Sequence, residues 1–212
     1  MTIERFQNIL VLAPHTDDGE FGCGGTMARL IESDVKVTYA AFSTAAKSVP
    51  EGFPTDVLKH EVRAATGVLG IDAADLKVYD FEVRTFPTVR QDILEEMIVL
   101  QRELDPDCVL MPALIDLHQD HKTVAEEGLR AFKRTTVLAY EIPWNNLNFS
   151  QQAYVRLDER HIEKKVEALQ CYASQGHRNY LNEDYIRNVA LTRGINIGCD
   201  FAEVFEVYRW IM

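Results

Sequence analysis

Apolar runs of strand length alternate with stretches in which apolar residues recur every three or four positions, and this alternation occupies the first two thirds of the chain. Asn8 to Ala13 is a continuous apolar run stopped by Pro14. Such a run suits a central strand of a parallel sheet, covered on both faces. Val35 to Phe42, Leu76 to Phe81, Cys108 to Pro112 and Thr136 to Ile142 read as further strands. Between them, Gly25 to Ser33 reads as the first helix, Asp56 to Leu69 as the second with Gly70 as its C-cap, Val89 to Leu104 as the third and Lys122 to Lys133 as the fourth. The third carries Val89, Ile93, Met97, Leu100 and Leu104 on one face and stops at Asp105-Pro106, because the residue before a proline is driven away from helical angles. Beyond Pro143 the rhythm breaks. WNNLNFSQQ is polar and aromatic, AYVRLD reads as an exposed strand, Glu159 to Ser174 as a strongly patterned helix, and Phe201 to Met212 as a final strand. The prediction is one three-layer α/β domain over residues 1–212, with a mainly parallel sheet and an appended C-terminal helix/strand part.

Composition narrows the function. The chain is 47% hydrophobic and 26% charged, enough for a sizeable core. Its 33 acidic residues outweigh 22 basic ones, for a formal net charge of −11, which argues against a general nucleic-acid binder. A local basic pocket for a small anion is compatible with that balance. Cys23, Cys108, Cys171 and Cys199 are scattered without a CxxC pair and read as reduced, buried thiols. The first residues carry a short apolar run without a basic leader, and no stretch approaches the ~20 apolar residues of a membrane span. A soluble, cytoplasmic protein is expected.

Two motifs carry chemistry. Pro14-His15-Thr16-Asp17-Asp18 directly follows the first strand, and His118-Gln119-Asp120-His121 lies in the loop after the CVLMP strand. In an open parallel sheet the loops leaving the C-terminal strand ends form the ligand crevice, so both motifs reach one edge. Catalytic zinc takes three protein ligands from His, Asp or Glu and keeps a position open for water. His15 and Asp18, spaced i and i+3, can turn toward one point, and one histidine of the second motif completes the set. Water on such a metal becomes a nucleophile near neutral pH while the metal polarises a carbonyl. Asp17 is then free to act as general base. The remaining second-motif histidine can serve the oxyanion or the leaving amine, with Asp120 holding its tautomer. Taken singly, the Asp-Asp pair is also a helix cap and the histidines ordinary loop residues; it is their joint placement that points to a metal. Gly22-x-Gly24-x-x-Met27 lacks the third small residue of the dinucleotide fingerprint and reads as structural.

VLAPHTDDGEFGCGGTMARL resembles the opening motif of the LmbE-like, PIG-L-type N-acetylglucosaminyl deacetylases, usually His-Pro-Asp-Asp-Glu followed by Gly-Gly. The resemblance continues at Glu61 to Gly70, Pro112 to His121, Ala168 to Gln175 and Phe201 to Phe205. It implies a Rossmann-like fold, zinc on His15, Asp18 and His121, Asp17 as base, and His118, oriented by Asp120, as acid or oxyanion partner. It also implies removal of acetyl from an N-acetylated sugar or nucleotide sugar. Iron or another divalent metal fits the same ligands, and homo-oligomers are common in that family. This chain departs from the pattern at Thr16 (usually proline), Gly19 (usually glutamate, here one place late as Glu20) and Phe201 (often tyrosine). Ser43 to Phe53 also lacks the arginine many members place after the second strand, leaving Lys47 as a substitute cation.

Trp144 is expected as a sugar platform or as packing for the C-terminal part, and Arg178 and Tyr180 as substrate-rim residues. His161 is expected at the surface or an interface, and His60 and His177 have no defensible partner. Two other functions compete. Two histidines and a carboxylate also describe non-haem iron oxygenases, for which activity without oxygen is the discriminator. A non-catalytic sugar-binding module would have no need of Asp17.

Overall fold

The first strand, β1 (Asn8–His15), is buried along its whole length after Asn8, as its unbroken apolar run requires. Ile9, Val11 and Ala13 face one core, Leu10 and Leu12 the other. Around it lie β2 (Lys36–Ser43), β3 (Leu76–Val78), β4 (Cys108–Pro112), β5 (Thr136–Tyr140), β6 (Ala153–Leu157) and β7 (Phe201–Arg209). In this computed structural model, which describes residues 3–211 and Glu4 by its backbone alone, they form one seven-stranded sheet in the order β3-β2-β1-β4-β5-β7-β6. The five strands from β3 to β5 are parallel, while β7 runs antiparallel to both β5 and β6. The C-terminal part therefore widens the same sheet. Met212, the predicted end of the last strand, lies outside the described residues.

Helices α1 (Asp18–Glu32), α2 (Val57–Leu69), α5 (Glu159–Gln170) and α6 (Glu183–Ile195) cover the first core; α3 (Arg90–Leu104) and α4 (Gln119–Ala131) cover the second. This is the three-layer architecture expected. The chain builds outward from β1 to β3, then returns to lay β4 on the other side of β1. The C-terminal ends of β1 and β4 flank that reversal, where open sheets leave a crevice. Among the described residues no helix is long and apolar enough to cross a membrane.

The largest departure from the sequence reading is α1, predicted from Gly25 but beginning at Asp18 inside the first motif. Its first half lies so close to the sheet that a Cβ on Gly22 would collide with the Tyr140 ring, and one on Gly19 with Tyr39. The helix kinks at Cys23 (φ −148°, ψ 26°). A buried ion pair satisfies the backbone groups freed there. The Glu203 carboxylate accepts from Gly25 N at 3.0 Å and Thr26 N at 2.7 Å, while Lys165 Nζ donates to Phe21 O and to Glu203, both at 2.6 Å. Losing one partner strands a buried charge. Lys165→Met is expected to cost about 3–5 kcal/mol in urea unfolding, with part regained on adding Glu203→Gln; a loss under ~1 kcal/mol would contradict this role.

Smaller differences are local. The predicted Leu76–Phe81 strand keeps ladder geometry only to Val78, although Tyr79 N and Phe81 N still donate to Ala41 O and Phe42 O. The predicted Glu159–Ser174 helix ends at Gln170, with a 3-10 turn at Ala173–Gln175. His161, expected at the surface or an interface, is 4% exposed: its Nδ1 accepts from Asp158 N at the helix start, and Nε2 meets Glu32 at 2.6 Å. Cys23 and Cys108 are buried as expected, but Cys171 and Cys199 only partly.

Candidate metal centre

The β1 strand ends on His15, and the immediate start of α1 swings Asp17 and Asp18 back over the strand end. From the neighbouring edge, the loop after β4 carries Asp116 and His118, and α4 begins with Asp120 and His121 in its first turn. Two motifs about a hundred residues apart thereby share one floor.

Three ligand-type atoms converge there. His15 Nδ1 lies 3.1 Å from Asp18 Oδ2, His121 Nε2 lies 3.2 Å from the same oxygen, and the two nitrogens are 3.3 Å apart. Each imidazole turns its other nitrogen to a carboxylate, His15 Nε2 to Asp120 Oδ2 at 3.0 Å and His121 Nδ1 to Asp116 Oδ2 at 2.9 Å. Those carboxylates hold the ring protons on the outer nitrogens, so the inner nitrogens present lone pairs to each other and to Asp18. Such a cluster is unfavourable without positive charge between its members. Tetrahedral zinc with ligands at about 2.0–2.1 Å places them about 3.3–3.4 Å apart, close to the triangle seen. The donor set and its outer carboxylates fit a divalent ion.

The electrostatics agree. Burial opposes charge on His15, yet the Asp18 and Asp120 carboxylates raise its pKa. Burial likewise opposes charge on His121, which Asp18 and Asp116 nevertheless raise to about 10. Burial alone would raise Asp18, but His121 and His15 hold it far below the usual carboxylate range. The trio draws positive charge, which a metal ion would supply in place of protons. Half-buried Asp17 is different: burial and the adjacent Asp18 charge push its carboxyl up to about 6.

His118 stacks on His121 with centroids 4.7 Å apart, and one of its ring nitrogens lies within 4.8 Å of a ring nitrogen of His15 and of His121, so the three imidazoles together could also hold an ion. Burial and the charges of His121 and His15 push its pKa down to about 4. The expected pairing of His118 with Asp120 is corrected here. His118 Nδ1 accepts the Asp120 backbone N–H at 3.2 Å, whereas the Asp120 carboxylate lies 4.0 Å away and is directed to His15. An accepting Nδ1 leaves the ring proton of the neutral imidazole on Nε2. Asp120 also accepts from Arg84 N at 2.5 Å and Phe86 N at 3.3 Å, which pins the loop after β3 against the site. Asp116, not singled out in the sequence, takes His121, the His118 backbone N–H (2.8 Å) and the Asn146 amide (3.3 Å).

Above this floor opens a cavity of about 340 Å³ lined in part by Asp17, Arg84, His118, Trp144, Arg178 and Tyr180. Trp144 stacks on Tyr180 at 4.3 Å, with Phe21 edge-on to both at 5.1 Å. It thus packs on the C-terminal part and faces the cavity as well. Arg178 lies over Tyr180 and bonds Gln175 at 3.0 Å. Lys47, the expected cation, does not line the cavity; it is exposed and paired with Glu82 at 2.6 Å. Arg84 provides the charge on that wall instead. Beneath the first motif, Glu20 is buried against the Tyr39 and Tyr172 hydroxyls; burial outweighs those bonds and raises its carboxyl to about 8. A larger hollow of about 570 Å³ beside Tyr172 and His177 shares only Arg178 with the site and, among the described residues, holds no cluster of three metal-ligating side chains.

Fold and cluster together define an α/β protein with a metal-type centre where its strand order reverses. The chain belongs to the PIG-L family, described as GlcNAc-PI de-N-acetylase, whose model matches residues 10–132. It is 25% identical to the diacetylchitobiose deacetylase of Thermococcus kodakarensis over 93% of this chain and 81% of that protein. Among solved structures, the conserved protein TT1542 from Thermus thermophilus superposes with a TM-score of 0.82 at 24% identity, covering 97% of this chain and 96% of that one. GalB, the 4-carboxy-2-hydroxymuconate hydratase of Pseudomonas putida, reaches 0.78 at 22% identity, over 96% and 97% of the two chains. The fold therefore hosts more than one chemistry, and activity has to be argued from the site.

Proposed function

We propose that this protein hydrolyses the acetyl group from an N-acetylated amino sugar or sugar conjugate, with zinc held by His15, Asp18 and His121. The observation that carries this reading is the triangle of bare donor atoms, 3.1, 3.2 and 3.3 Å on its edges, with Asp17 beside it. An ion held there supplies Lewis acidity toward the acetyl carbonyl and makes a water acidic enough to react. Asp17 accepts that water's proton on its carboxylate and returns it to the departing amine. His118 donates from Nε2 to the acetyl oxygen as negative charge develops there. Asp120 and Asp116 orient the imidazoles of His15 and His121, and Trp144 offers an aromatic face to the sugar ring.

The family match and the enzymatic character of the relative support hydrolysis. Asp17 argues against a mere binding module, which needs no base. The test is acetate release from a panel of N-acetylated sugars and nucleotide sugars by zinc-loaded protein under nitrogen. Release from at least one of them is expected. Turnover that requires iron and oxygen would sink the hydrolytic reading in favour of oxygenase chemistry.

A further inference from the structure

Arg84 occupies a costly position and, among the described residues, has no acidic partner. Its φ of 71° lies in the left-handed region, which residues bearing a Cβ avoid. The first turn of α4 holds it there through both of its backbone polar groups: Arg84 N donates to Asp120 at 2.5 Å, and Arg84 O accepts from Gln119 Nε2 at 3.4 Å. Through Asp120, which also holds His15, the position of Arg84 is fixed relative to the metal centre.

Its side chain is less committed. Among the described residues the guanidinium makes one bond, to Ser48 Oγ at 3.1 Å, and no ion pair. Arg90, Arg130, Arg160, Arg187 and Arg193, by contrast, each pair with a carboxylate outside the cavity. The acids near Arg84 are already engaged, Glu82 by Lys47 and Asp120 by His15 and two amides. Arg84 and Ser48 line the same cavity as the metal-type cluster, and so does Arg178, which likewise makes no ion pair among the described residues. A guanidinium with most of its donors free is suited to a planar or tetrahedral oxyanion.

We infer that the non-acetyl part of the substrate carries an anionic group, a carboxylate or a phosphate, received by the Arg84 guanidinium with the Ser48 hydroxyl. The inference rests on the deacetylase reading for the sugar, and on the Arg84 geometry for the charge. Arg178 adds positive potential to the same cavity. A neutral sugar satisfies the aromatic face but leaves the Arg84 guanidinium without a counter-charge.

Two arms test it. Binding of the deacetylated ligands glucosamine 1-phosphate, a glucosaminide of a hydroxy acid, and neutral methyl glucosaminide is read by Trp144 fluorescence on the zinc-loaded protein. Acetate release is measured with their N-acetyl counterparts. At least one anionic ligand is expected to bind about ten-fold or more tighter than the neutral one, with the gap narrowing as salt rises. Whichever anionic arm is tighter identifies the group. Arg84→Gly, which suits the left-handed backbone, brings the ratio of anionic to neutral affinity to about one, and Arg84→Lys keeps part of it. Equal affinities in the unaltered protein, or a preference that survives Arg84→Gly, overturn the inference. Equal acetate release from neutral and anionic sugars overturns it too, while leaving the deacetylase reading standing. An Arg84-dependent anion preference without acetate from any sugar does the reverse. If no ligand binds, both fall.

Discussion

Asp17→Asn is expected to give a folded protein that still takes up zinc but releases acetate about 10²–10⁴-fold more slowly. The amide has nearly the shape of the carboxylate it replaces, so the loop between His15 and α1 has no steric reason to move. What is lost is a group that can accept a proton. The ligand atoms of His15, Asp18 and His121 are untouched, and their outer partners Asp120 and Asp116 remain. Metal content by elemental analysis and acetate release by a coupled assay, on the same preparation, separate the two effects. Full activity in this variant would remove Asp17 from the mechanism; loss of metal along with activity would make it a ligand instead.

Replacing His121 by Ala is expected to abolish both metal retention and turnover, as is prolonged chelation of the unaltered protein, with zinc restoring only the latter. His121 supplies one of the three converging donors from the first turn of α4, and the neighbouring His118 imidazole lacks the outer carboxylate that orients His121. Asp116→Asn is the graded counterpart. Asp116 meets the ligand set only through the outer nitrogen of His121, besides holding the His118 backbone N–H and the Asn146 amide, and losing such a partner lowers metal affinity or activity by about 10–100-fold. An Asp116 variant as damaged as His121→Ala would mean that this carboxylate acts on the ion or the substrate directly. Unchanged activity after metal removal would end the account of a metal centre.

Much of the fold was legible because burial on both faces leaves a plain mark. The apolar run of β1, the stripe along α3 and the Asp105-Pro106 stop all lie where the pattern places them, to within a residue or two. The first helix was harder. Its opening residues include Gly19, Gly22 and Gly24, poor helix formers that read as loop. They are helical because Tyr39, Tyr140, Lys165 and Glu203 hold them, residues far along the chain that no local window contains. The helix α6 escaped notice because its buried positions, Ile186, Ala190 and Gly194, are a weak stripe beside exposed Leu191 and Ile195.

The convergence of the two motifs could be anticipated from strand-end topology, but the partners of the imidazoles could not. Asp120 sits two residues from His118 and one from His121, yet it serves His15, 105 residues earlier. Asp116 has no local signature of its own. The family resemblance offers Lys47 as a substitute cation because a sequence comparison cannot see Glu82 pairing with it, nor Arg84 turned into place by a left-handed backbone.

Asp120 has a consequence for how this protein could change. One carboxylate fastens an imidazole of the metal centre and the loop that presents Arg84, so the reactive core and the surface that discriminates among substrates share a hinge pin. Exchanging the side chain at position 84 alters taste without disturbing the pin. Lengthening or shortening residues 82–86 pulls on it, and the strain arrives at His15. Variation in what the enzyme accepts should accordingly come by swapping side chains on that loop rather than by remodelling its length.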